Sequence, residues 1–302
     1  MVDFSLRQLE YFIAAIDAGS VTGGARSANV TQATVSMAIF QLEKQLKTDL
    51  LVRNRSKGVV PTRAGHQLAI HARRLLSMAT ELEEAMTIET GEVSGNLEVG
   101  CVSSLSPEVI PPLASHFEHN HPAVVFNYHE GSASQLQESL IMGALDIAVV
   151  FSRQTIADLE AVHLTEVILK VMLPESHRLR NRPVVAFSDV AEEAAILIDL
   201  PPSQERSIDF MRAAGVEPRI RLSSANLATV TALVANGLGY SLRYSKPDAA
   251  EAPGPGVIEI PVADSIPENG ISVVTAKRER SPKRVEEAIQ ALMTLYSSPH
   301  GG

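Results

Sequence analysis

Tryptophan is absent, and aromatic residues make up only 4% of the 302-residue chain. An aromatic-lined pocket is therefore not expected, although five Tyr and eight Phe remain. Cys101 is the sole cysteine. A disulfide framework is thus excluded, and a reducing, cytoplasmic setting is expected. No apolar run reaches the roughly 18 residues that a membrane span requires. The start lacks the basic, apolar and small-residue order of a secretory signal, so no membrane partner is expected. No nucleophile has an assigned base. Single Ser, His and Asp residues are expected by chance in a chain of this size, so no enzyme is expected.

What is present allows two or three domains with sizeable cores. Hydrophobic residues are 45% and charged residues 20% of the total, an ordinary balance for a folded protein. The net charge of −9 argues at first against nucleic acid. Its distribution argues otherwise: up to Arg74 there are ten Lys/Arg against five Asp/Glu, and beyond it sixteen against thirty. One basic module joined to an acidic partner fits this split.

Leu6, Leu9, Ile13 and Ile16 recur at helical spacing until Gly19. Ser20 can cap a second short helix through Ala28, and Thr31 a third. The third helix buries Val35, Ile39, Leu42 and Leu46. Its opposite face carries Ala33, Ser36, Met37, Phe40 and Lys44. In a DNA groove, Met37 and Phe40 can touch thymine methyls, while Gln32 and Ser36 can bond base edges or phosphates. The helix pattern alone leaves a second reading open, in which Met37 and Phe40 pack on a neighbouring domain.

The stretch LLVRNRSKGVVPTRAG, Leu50 to Gly65, reads as two short strands around a basic turn. Beside a helix-turn-helix such a hairpin is a wing, able to lay Arg53, Arg55 and Lys57 along phosphates. At this point the sequence resembles the LysR-type transcriptional regulators. The resemblance rests on Leu6-x-x-Leu9-x-x-Phe12, Gly19-Ser20, Thr31-Gln32, Val35-Ser36, Ile39-x-x-Leu42-Glu43, Leu50-x-x-Arg53 and Pro61-Thr62-x-x-Gly65.

The resemblance implies an α/β protein throughout its larger part. An N-terminal winged helix-turn-helix occupies 1–62, and a linker and dimerisation helix 63–90. A two-lobed periplasmic-binding-protein-like effector domain of two βαβ units fills 91–302. Lobe I would take about 95–166 and 269–302, and lobe II about 167–268. The implied partners are double-stranded DNA, a small-molecule effector, RNA polymerase and further copies of the chain, as dimer or tetramer. No cofactor or metal is expected.

Two departures stand out. Gly24-Ala25 replaces the family's usual Ala pair, and glycine inside a helix costs about 1 kcal/mol relative to Ala, so a soft second helix is expected. Met37 and Phe40 stand where basic residues are common. The DNA contacts expected are therefore Arg26, Thr31, Gln32, Ala33, Thr34, Ser36, Met37, Phe40, Lys44, Arg53, Arg55 and Lys57.

Thr62 can cap a long helix from Arg63 to about Glu89. Ala64, Leu68, His71, Leu75, Met78, Leu82 and Ala85 alternate at spacings of four and three, a heptad seam. The seam is read as a dimer contact through Leu68, His71, Leu75, Met78 and Leu82. The alternative is packing on the chain's own effector domain. Pairing two reading heads matches a DNA site with two half-sites, and Gly91 to Asn96 forms a turn-rich hinge.

From Leu97 strands and helices alternate, as in βαβ units with parallel pairing. Crossings near Glu166 to Leu169 and Pro267 to Gly270 would link two lobes able to close on a ligand. Ligands of such units sit at strand C-terminal ends and helix N-termini. The candidates are Ser103, Ser104, Ser132, Ser134, Asp199, Ser203, Gln204 and Asn226. Hydroxyls and free amides favour an anion, and Arg206 or Arg243 could supply the countercharge. For any one of these serines, helix capping is the simpler role.

Three other patterns are set aside. His116, His119 and His121 stand close together, but a helix end before Pro122 is expected to scatter them. Gly237-Leu238-Gly239 lacks a third glycine and follows a helix, unlike a dinucleotide fingerprint. Cys101 reads as a buried thiol. A solute-binding or enzymatic α/β domain with a helical docking module is the rival reading. The charge split and the wing favour the regulator.

Overall fold

The computed structural model describes residues 3–54, 58–86, 92–247, 254–277 and 281–297. Its first unit packs α1 (Leu6–Asp17), α2 (Val21–Ser27) and α3 (Gln32–Leu46) around Leu9, Phe12, Val35, Ile39 and Leu42, which are at most 1% exposed. Each helix starts on a hydroxyl that accepts a backbone N–H: Ser5 from Gln8, Ser20 from Gly23 and Thr31 from Thr34. Such caps satisfy donors that the helix leaves unpaired. β1 (Leu51–Asn54) and β2 (Gly58–Pro61) form an antiparallel hairpin. The Val59 N–H donates to the Gly19 carbonyl at 2.9 Å and ties the wing to the α1–α2 turn.

Gly24 has a packing role. A Cβ there would lie 2.6 Å from the Ala15 backbone, so the missing side chain lets α2 approach α1 closely. Helix propensity alone does not reveal this packing reason for the glycine. Gly65 is tighter still, with the Leu50 carbonyl oxygen 2.0 Å from its would-be Cβ. That carbonyl also accepts the Thr62 N–H at 2.9 Å, and the Thr62 hydroxyl accepts the Gly65 N–H at 3.0 Å. The Pro61-Thr62-x-x-Gly65 motif is therefore the joint between wing and linker. Gly65→Ala is expected to lower stability by about 1–3 kcal/mol through overpacking, despite the better helix propensity of Ala. Urea unfolding checks this, and an unchanged midpoint would contradict the close joint.

α4 (Arg63–Met86) leaves this unit as a long helix. Ala69 and Ala72 are buried in the N-terminal core and Leu68 packs against it. His71 is exposed, and Leu75, Met78 and Leu82 are 42%, 63% and 63% exposed. The chain's own effector domain therefore does not cover this stripe. Residues 87–91, which hold the end of the expected helix and the start of the expected hinge, lie outside the described residues.

The larger unit begins with β3 (Gly95–Val102), α5 (Ser106–Asn120), β4 (Val124–Gly131), α6 (Ala133–Ile141) and β5 (Ile147–Phe151). β3 pairs in parallel with β4 and β5, giving the expected βαβαβ lobe. β6 (Leu159–Pro174) is longer than its apolar stretch suggests. Its first half pairs with β11 (Asn269–Ala276) in lobe I. Its second half pairs with β9 (Ser241–Ser245) and β10 (Val257–Pro261) in lobe II. The lobes are thus joined near Val167–Ile168 and Asn269, at the two crossings.

Lobe II adds β7 (Ala194–Ile198) and β8 (Arg219–Ser224) as a parallel pair, with α7 (Ser203–Ala213) and α8 (Leu227–Ala235). α9 (Lys283–Ser297) returns to lobe I and packs on α5.

Candidate DNA-reading face and effector cleft

On α3, Gln32, Ala33, Thr34, Met37, Phe40 and Lys44 are exposed and Ser36 is half-buried. Met37 and Phe40 are 56% and 58% exposed, so neither serves the helix-turn-helix core. Thr31 and Thr34 are tied into the cap, their hydroxyls 2.9 Å apart. Arg26 is exposed near the end of α2. Arg53 lies on β1, while Arg55 and Lys57 lie outside the described residues. Glu43 was not singled out from sequence as more than a motif position. Its Oε1 accepts the N–H groups of Leu50 at 2.9 Å and Leu51 at 3.3 Å, fixing where the wing leaves α3.

In the sensor unit, a cavity of about 40 Å³ lies where the C-terminal ends of β3, β5 and β7 converge. Four expected effector residues line it: Ser104, Ser203, Arg206 and Arg243. The others do not. Ser132 caps α6, its Oγ accepting the Gln135 N–H at 3.4 Å, with Ser134 Oγ 3.1 Å away. Asn226 caps α8 by accepting the Thr229 N–H. Ser103 donates its backbone N–H to Gly131, and Asp199 donates its own to Ser224. Gln204 is half-buried on α7 and does not reach the cavity lining.

Phe151, Phe210, Tyr244 and Asn269 line the cavity and were not foreseen. Asn269 Oδ1 accepts the N–H groups of Arg153 and Gly270, at 3.2 and 3.0 Å. Burial raises the Tyr244 pKa, while the charges of Arg206 and Arg153 oppose the rise. The phenol therefore stays neutral beside a positive field.

Arg243 departs from its expected role as open countercharge. Nη1 donates to Glu259 Oε1 at 3.0 Å, Nη2 donates to Glu108, and the side chain is 9% exposed. Two carboxylates already match its charge, leaving only Nε without a partner among the described residues. Glu108 belongs to α5 of lobe I, so this pair crosses the cleft. Arg206 also crosses it, donating from Nη2 to the Arg153 carbonyl at 3.0 Å. Among the described residues no carboxylate pairs with Arg206, so its charge, unlike that of Arg243, is not matched in the cleft. A larger hollow of about 950 Å³ lies between α4 and β3–β4. It is open interdomain space that includes the N-terminal end of β3 and shares no lining residue with the cleft.

Cys101 is fully buried in β3, and burial pushes its thiol pKa far up. A thiolate-based response at this position is disfavoured, because the thiolate is the reactive form.

A winged helix-turn-helix joined by a long helix to a two-lobed sensor defines a DNA-binding regulator with an effector domain. The comparisons agree. The description "Bacterial regulatory helix-turn-helix protein, lysR family" matches residues 6–66, and "LysR substrate binding domain" matches residues 90–296. The chain belongs to the LysR family of transcriptional regulators.

It is 30% identical to the regulator AlsR of Bacillus subtilis over 78% of this chain and 79% of that protein. It is 28% identical to the transcriptional dual regulator OxyR of Escherichia coli K12 over 96% of each. Its fold matches full-length CbnR complexed with target DNA with a TM-score of 0.64. The identity there is 22%, covering 96% of this chain and 100% of that one. The described helices include none long and apolar enough to cross a membrane.

Proposed function

We propose that the chain acts in the cytoplasm as a homodimer or tetramer in which paired α3 helices read two half-sites of duplex DNA. α4 holds the two heads together, and a small anionic molecule held between the lobes sets their spacing. The observation that carries this reading is the outward face of α3. Met37 and Phe40 are exposed beside Gln32 and Lys44, where folding gives them no partner. Apolar groups there suit thymine methyls, and Lys44 suits phosphate. The effector shifts the head spacing only by binding one lobe arrangement more tightly than the other.

A cavity of about 40 Å³ has room for only one to three waters. The bound state is therefore a more open one, in which Arg206 meets the anion. Ser104 and Ser203 add hydroxyls. In the same scheme, a change in head spacing alters DNA bending and the contact with RNA polymerase.

The exposed stripe Leu75, Met78 and Leu82 supports the pairing role of α4. Met78→Lys with Leu82→Lys is expected to give monomers in sedimentation velocity. Affinity for a two-half-site duplex, read by fluorescence anisotropy, is expected to fall about 100-fold or more, because the second contact is no longer intramolecular. Unchanged sedimentation and affinity would contradict the pairing.

A further inference from the structure

The histidines at the end of α5 do not scatter as the sequence suggests. The helix stops at Asn120, and His121, its C-cap, takes φ −138° and ψ 62°. Residues five apart on a continued helix would face different ways. The break instead turns His121 back beside His116, with ring centroids 5.6 Å apart. Only His119 turns aside, bonding its own helix through the Ser115 carbonyl at 2.7 Å. Glu287 of α9 completes the group. Its Oε1 lies 3.0 Å from His116 Nε2 and 3.4 Å from His121 Nε2.

We propose that His116, His121 and Glu287 form a binding site for a divalent transition-metal ion of the zinc class. The three donor atoms lie within 4.8 Å of one another. Zinc bonds of about 2.0–2.2 Å at the tetrahedral angle place donors about 3.3–3.5 Å apart. The two N···O separations, 3.0 and 3.4 Å, lie near that edge length and the third donor pair is within 4.8 Å, so side-chain shifts of a fraction of an ångström to about one ångström would admit an ion. Two imidazoles and one carboxylate suit zinc, nickel or copper better than calcium or magnesium, which prefer oxygen donors.

All three side chains keep 20–32% exposure. A fourth, solvent ligand can therefore reach the ion, as in open three-ligand zinc sites. The site lies on lobe I and clamps the C-terminal end of α5 to α9. The opposite end of α5 carries Glu108, which reaches Arg243 across the cleft.

The test is calorimetric titration of the metal-free full-length chain with zinc chloride. Cobalt chloride serves as a second probe, since its visible absorption reports tetrahedral ligation. One ion per chain is expected. His121→Ala and Glu287→Gln are each expected to weaken binding beyond the roughly 10–100-fold that loss of an outer partner costs. His119→Ala, between the two proposed ligands in sequence but turned away, should bind as the unaltered chain does. Circular dichroism without metal checks that each variant folds. No zinc binding by the folded chain would overturn the site, as would affinities in the His121 and Glu287 variants equal to that of His119→Ala.

Discussion

Met37→Glu combined with Phe40→Glu is expected to abolish sequence-specific DNA binding and to leave the fold intact. Both side chains are more than half exposed, and surface changes of this kind usually shift stability by no more than about 0.5 kcal/mol. On the DNA side two carboxylates replace apolar contacts and face a polyanion. Specific affinity is then expected to fall to the non-specific level, a loss of about 1000-fold or more. Anisotropy at fixed salt with a natural duplex measures it, and the thermal midpoint checks the fold. Retention of affinity within about tenfold would mean that α3 does not read the bases.

The largest stability effect is expected at Arg243. Arg243→Met leaves Glu259, only 5% exposed, without its guanidinium, although the Ser245 hydroxyl still donates to it at 2.9 Å. Breaking a buried pair from one side costs roughly 3–5 kcal/mol, chiefly from the charge left behind. Glu108 is 48% exposed and can turn to water, so its share is small. Adding Glu259→Gln to Arg243→Met should restore much of the loss, because the stranded charge is gone. Urea unfolding of the single and double variants decides this. A double variant no more stable than the single one would show that Glu259 is not the source of the cost.

Local signals explain what was legible from residues alone. Ser20 and Thr31 precede apolar residues at helical spacing, and both cap helices as expected. The first residues of β6, Leu159 to His163, alternate no apolar face because four of the five are exposed. The strand exists through its pairing with β11, more than 100 residues away.

The cleft was half legible. The rule about strand ends located Ser104 and Ser203, but it gave equal weight to Ser132 and Asn226, which cap helices. Phe151, Tyr244 and Asn269 enter only through tertiary convergence. The same limit hid the pairing of Arg243 with Glu108 and of His116 with Glu287, partners 135 and 171 residues apart.

The most direct measurement is capture of sheared genomic DNA by the purified chain at moderate salt, followed by sequencing, beside the Met37→Glu/Phe40→Glu variant. Reading by α3 predicts that the unaltered chain enriches a small set of sites containing two half-sites, and that the variant enriches none of them. Identical enrichment by both proteins would contradict it.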